Sequence, residues 1–188
     1  MNNKAFTLIE ILAVISIIIL LSGIVLVNYR VGERQFALQR AAGKLASDIR
    51  RAQEMAVASE ECQPCGGGIP AGGYGISIVK WSESYKLYAD ENNDKHYEFI
   101  HESYVEQIYY EKGVMLKDVR LLDPNRNPIE ITINFTPPDP EINLQGDVGF
   151  HTESKEAVIT LCLTDTDCLD PKNTKTITVN KAGRIDID

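Results

Sequence analysis

The sequence predicts an α+β protein: a long N-terminal α-helix, transmembrane in its first half, packed by its second half on an antiparallel, β-rich head. Three observations predict it. Residues 11–27 contain no charged side chain. Apolar residues then recur at spacings of three and four as far as residue 56. From residue 74 onward, short apolar or alternating runs are separated by Gly, Pro, Asn and Asp, the pattern of many short strands.

The uncharged run comes first. At about 1.5 Å per residue, 6–29 makes a helix of roughly 36 Å, enough to cross a bilayer core. A buried core helix would show an amphipathic stripe, and none is visible. A cleaved secretory signal would lead into a polar mature start, but Ser22-Gly23 is followed by more apolar residues. An uncleaved anchor fits the run better. Neither a signal nor a plain anchor explains Glu10, because a carboxylate at the edge of a membrane span calls for a partner.

The residues around it are Lys4-Ala5-Phe6-Thr7-Leu8-Ile9-Glu10. A short basic leader followed by Phe-Thr-Leu-Ile-Glu resembles the type IV prepilin signature. The resemblance implies cleavage between Ala5 and Phe6 by a prepilin peptidase on the cytoplasmic face, then N-methylation of Phe6. It also implies that Glu10 pairs with the new α-amino group of Phe6 in a neighbouring subunit. Such pairing suits two charges in apolar surroundings and fixes register. The family usually carries Gly before the cut, where this chain has Ala5, the nearest residue in size. No Pro interrupts the apolar helix, which leans toward a minor subunit or pseudopilin.

Beyond residue 29 the helix turns amphipathic. Leu38, Ala41, Ala42, Leu45, Ile49, Ala52, Met55 and Ala56 form one apolar face, which reads as core packing. Arg34, Gln39, Arg40, Lys44, Asp48, Arg50 and Arg51 fall mostly on other faces. With no Pro from 6 to 59, one helix of roughly 80 Å is allowed. Leu45, Asp48, Ile49, Ala52 and Gln53 resemble the corresponding helix of the GspH/FimT-type minor pseudopilins and pilins, which implies a β-rich head on the second half of the helix. The expected organisation is a leader at 1–5, a transmembrane and filament-core helix at 6–29, its amphipathic continuation at 30–61 and the head at 62–188.

The Gly-rich run at 66–73 ends the helical pattern. Strands are expected at 74–81, 85–89, 107–110, 114–122, 129–135, 148–150, 157–163, 176–179 and 184–187, with hairpins around 82–84 and 180–183. Together they suggest a sandwich or a strongly bent sheet. The prolines of 136–140 make a rigid connection.

Four cysteines, Cys62, Cys65, Cys162 and Cys168, suit a head outside the cytoplasm, where disulfides persist. Two local bridges, Cys62–Cys65 and Cys162–Cys168, are the first expectation. A crossed pairing and a four-thiolate zinc site are the alternatives. Asp90, Asn92 and Asp94 alternate as oxygen ligands do in calcium loops, without the Gly and distal Glu of an EF-hand; an acidic turn is the plainer reading. Asp165, Asp167 and Asp170 make a similar turn. No other cofactor is implied.

His96, His101 and His151 are scattered, and His96 and His101 read as exposed. No nucleophile elbow, metalloprotease motif or phosphate loop is present, so no enzymatic activity is expected. A formal charge of −8 disfavours non-specific binding to nucleic acid or anionic lipid. The leading expectation is a structural minor subunit of a type IV pilus or a type II secretion pseudopilus. Its partners would be other such subunits, the prepilin peptidase and an inner-membrane assembly platform. It would sit in the cytoplasmic membrane as a single-pass protein with its head outside, then enter the filament. The alternatives are a ligand- or DNA-binding minor pilin, using Lys172, Lys175, Lys181 and Arg184, and an unprocessed, membrane-anchored β-domain.

Overall fold

The computed structural model describes residues 7–97, 104–123, 125–137, 141–146, 154–164 and 166–188; for 25–28, 30, 31 and 141 it describes the backbone alone. One helix, α1 (Leu8–Val57), precedes nine strands. The chain divides into two compact units, Met1–Phe36 and Ala37–Asp188.

In the first unit every described side chain from 7 to 24 is exposed. Ile and Val are mediocre helix formers in water, but a helix satisfies its own backbone groups in an apolar medium. Ser16 follows that logic, its hydroxyl donating to the Leu12 carbonyl at 2.8 Å.

In the second unit the expected stripe is buried in full: Leu38, Ala41, Ala42, Leu45, Ile49, Ala52, Met55 and Ala56 all join the core. Four alanines on that stripe permit close approach of the backbone. Asp48 departs from the expected polar faces and is buried too. The helix stops at Val57 because Ser59 turns left-handed, at φ 49°. The Ser59 N–H then donates to Ala56 and the Glu60 N–H to Met55, the pattern that closes a helix C-terminus.

The strands are β1 (Gly73–Val79), β2 (Ser84–Asp90), β3 (Tyr104–Tyr109), β4 (Val114–Leu122), β5 (Glu130–Thr136), β6 (Glu141–Gly146), β7 (Glu156–Leu163), β8 (Thr174–Asn180) and β9 (Ile185–Ile187). They form two antiparallel sheets, ordered β3-β2-β1-β5-β6 and β4-β7-β8-β9. The first sheet turns Tyr74, Ile76, Ile78, Leu87, Ile131, Ile133 and Phe135 to the core, the second Leu116, Val119, Ile159, Leu161, Ile177 and Val179. Both sets share one cluster with the helix stripe, so the α+β architecture expected from the sequence holds.

The differences lie at strand ends and in one strand. The first strand expected ends two residues early, where Trp81 takes φ 62°. The expected 107–110 strand starts at Tyr104 instead. The whole of β6 was unexpected: its Ile142 and Leu144 alternate inward, but the flanking prolines and Gly146 read as loop. The strand expected at 148–150, like residues 138–140 of the proline loop, lies outside the described residues. The closing hairpin matches expectation, with Gly183 at φ 83° and the Asn180 side chain accepting from the Ala182 and Arg184 amides.

Candidate functional site

The first turn of α1 is a reciprocal cap. The Thr7 N–H and hydroxyl both donate to Glu10 Oε2, at 2.9 and 2.7 Å, and the Glu10 N–H donates back to Thr7 Oγ1 at 3.4 Å. Ser/Thr-x-x-Glu is the capping-box pattern, which satisfies helix amides that have no partner within the helix. The Thr7-x-x-Glu10 spacing spells this cap in the sequence itself. Only one oxygen of Glu10 takes part in these bonds. Ala5 and Phe6 lie outside the described residues.

Glu10 opens a surface that is apolar on every side. Twelve large apolar side chains between Leu8 and Ile24 are exposed. At about 1.5–3 kcal/mol each, covering them is worth roughly 18–36 kcal/mol in total, more than the stability of a typical domain. Among the described residues no helix is long and apolar enough to cross a membrane. The 6–29 span expected from the sequence extends beyond the described apolar run at both ends.

The helix is keyed to the head by a polar contact within the second unit. The Tyr85 hydroxyl donates to Asp48 Oδ2 at 2.5 Å, and Lys44 Nζ lies 3.1 Å from the same oxygen. Burial, and next the bond to Asp48, push the Tyr85 phenol far above its usual range, so it remains a donor. The Tyr110 ring stands 5.2 Å from that of Tyr85. Arg40 adds a two-pronged pair with Glu111, at 2.7 and 2.6 Å. Asp48 is one of the five positions that resemble the GspH/FimT-type pattern, and nothing in its spacing announced its burial.

The acidic loop after β2 folds on itself. Asp90 is buried; it accepts from the Asn93 and Lys95 amides at 2.6 and 2.9 Å and from Asn134 Nδ2 at 3.2 Å. Asp94 accepts from Asn92 Nδ2 and from the His96 amide. These candidate calcium ligands thus accept bonds from the loop and from Asn134 of β5, and no cluster of three or more His, Cys, Asp or Glu among the described residues is placed to hold a metal. His96, expected at the surface, is 4% exposed, with Nδ1 3.3 Å from Thr132 Oγ1. It lies against a polar outer face of the first sheet, where Thr132, Asn134, Asn143 and Gln145 are also buried. Tyr88 presses on that face so closely that a Cβ on Gly75 would come within 2.6 Å of its ring. His101, His151 and Asp165 lie outside the described residues.

Cys162 is bonded to Cys168, and Cys62 to Cys65. Neither pairing is the crossed one, and no described cysteine is free. Of the C-terminal basic residues, Arg184 is held by Asp186 at 2.6 Å.

No protein-family profile matches the chain, and no curated protein matches it. Among solved structures it is similar to the minor pseudopilin EpsH from the Type 2 Secretion System of Vibrio cholerae, at 9% identity and a TM-score of 0.43, over 80% of this chain and 95% of that one. A TM-score of that size does not establish a shared fold.

Proposed function

We propose that the chain is a structural, non-catalytic subunit of the pilin and pseudopilin class. It is cut between Ala5 and Phe6 by a prepilin peptidase, methylated on the Phe6 amine, and assembled through α1. The observation that carries this reading is the run from Leu8 to Ile24, apolar on all sides and exposed, with a carboxylate at its entry.

A membrane covers such a surface before assembly, and equivalent helices of neighbouring subunits cover it afterwards. Inside a helix bundle Glu10 is tolerable only if paired. One of its oxygens serves the cap, and the other is left to take the Phe6 amine of the next subunit. Residues 6–29 then act as membrane span and filament core. Two disulfides suit a head held in an oxidising compartment. Prepilin peptidase, an inner-membrane platform and other subunits are the partners this reading requires.

Glu10→Gln tests it, because Gln keeps the capping geometry and removes the charge. The chain should still be processed and inserted, yet be lost from filaments sheared from cells. Filament incorporation at the wild-type level would defeat the assembly role.

A further inference from the structure

Lys80 follows β1 directly, and its side chain is 10% exposed. Its ammonium donates to Asn127 Oδ1 at 2.5 Å and lies 2.8 Å from Asp118 Oδ1. An amine, a carboxamide and a carboxylate, from three separate segments, therefore meet at one point. Together they are what amide formation needs: a nucleophile, an acyl carbon with a leaving group, and a carrier for protons. An ion pair alone needs Lys80 and Asp118; it does not need a carboxamide on the same ammonium.

Each group is held in place by the backbone. The Lys80 N–H donates to the Ile129 carbonyl at 2.8 Å. Leu121 and Arg126 exchange backbone bonds at 2.9 and 2.7 Å, so Asn127 is fixed from both sides. Asp118 comes from β4, where the register with β7 shifts between Leu116 and Asp118; an irregularity of this kind re-aims a side chain. Arg120 Nε occupies Asp118 Oδ2 at 2.8 Å, which leaves Oδ1 to the ammonium. Holding two reacting groups in contact turns a bimolecular step into an intramolecular one.

We propose that Lys80 and Asn127 are the site of an intramolecular isopeptide bond, with Asp118 carrying the protons. Asp118 Oδ1 takes a proton from the ammonium. The freed lone pair of Nζ attacks Asn127 Cγ, and the Cγ–Nδ2 bond breaks. Of the three ammonium protons, one stays on the new amide nitrogen. The other two pass by way of Asp118 to Nδ2, which departs as ammonium. Asp118 ends as the carboxylate it began as, and no oxidant, reductant or cofactor enters. Asn127 is exposed, so the leaving group reaches solvent. The bond closes residues 80 to 127 into a ring that contains β2, β3 and β4. Such a ring restricts the unfolded chain as a disulfide does, but no thiol can open it. The inference stands apart from the reading of the chain as a filament subunit.

The full chain, purified in detergent micelles and kept folded near neutral pH, tests it. After reduction and tryptic digestion, the peptide carrying Lys80 should be joined to the peptide carrying Asn127. The joined mass should be their sum less one ammonia. Lys80→Ala and Asn127→Ala should abolish the joined peptide and lower the melting temperature. Asp118→Asn keeps both reacting groups and should form the bond about a hundredfold more slowly. Wild-type chain that yields only the two separate peptides after prolonged incubation would overturn the proposal, whatever the variants do. Asp118→Asn reacting as fast as wild type would overturn the proton-carrying role. The mature N-terminus, read from the same digest, tests the subunit reading separately.

Discussion

Glu10, Asp48 and Asp118 are three carboxylates with three roles. Glu10 caps its own helix, and in the proposed assembly its other oxygen takes a neighbour's amine, so Glu10→Gln separates capping from charge. Asp48 is buried against Tyr85. Tyr85→Phe leaves that carboxylate without its phenol donor and should lower stability by about 1–3 kcal/mol in urea unfolding. Asp48→Asn keeps an acceptor for the phenol and should lower it less. Asp118 works at the surface of the head. Burial raises its carboxyl pKa, but the bonds from Lys80 and Arg120 outweigh burial and hold it below its usual value of 3.8. A carboxyl depressed in the folded state contributes stability that is present above about pH 4 and lost as pH falls through the folded value. Asp118→Asn should therefore narrow the stability difference between neutral and acid unfolding curves. Curves of unchanged separation would show that the pair contributes nothing.

Among the elements, α1 is the one the head cannot lose. Leu45 is fully buried in the shared cluster, and Leu45→Ala should destabilise the head by about 2–5 kcal/mol, read as a drop in the urea midpoint. The helix was legible because its signals are local: an uncharged run, then a stripe at spacings of three and four. Most strands were legible for the same reason, through alternation such as that from 129 to 135. What escaped depended on partners distant in sequence. β6 forms because β5 offers it a full register from Ile131 to Thr136, which overrides Pro and Gly neighbours. Asp48 and Asp90 are buried because Tyr85, Asn134 and loop amides answer them. His96 is buried against Thr132 on a strand 36 residues away. None of these pairings has a spacing that a single sequence reveals. The candidate site was legible in its residues, and its cap was spelled out in Thr7-x-x-Glu10, but the burial of Asp48 was not.

At the scale of the whole molecule, an acidic, disulfide-bonded β head is joined to an apolar helix that needs an environment other than water. Covering its exposed apolar side chains is worth roughly 18–36 kcal/mol in total. Covering that surface, first by lipid and then by neighbouring subunits, is the central claim, and the proposed cut between Ala5 and Phe6 is the step that would commit the chain to it. The most direct measurement is the intact mass and N-terminal sequence of the chain purified from cells with an active prepilin peptidase. The account predicts a mature chain that begins at Phe6 and is heavier by one methyl group on its amine. A chain that still begins at Met1 in those cells would contradict it.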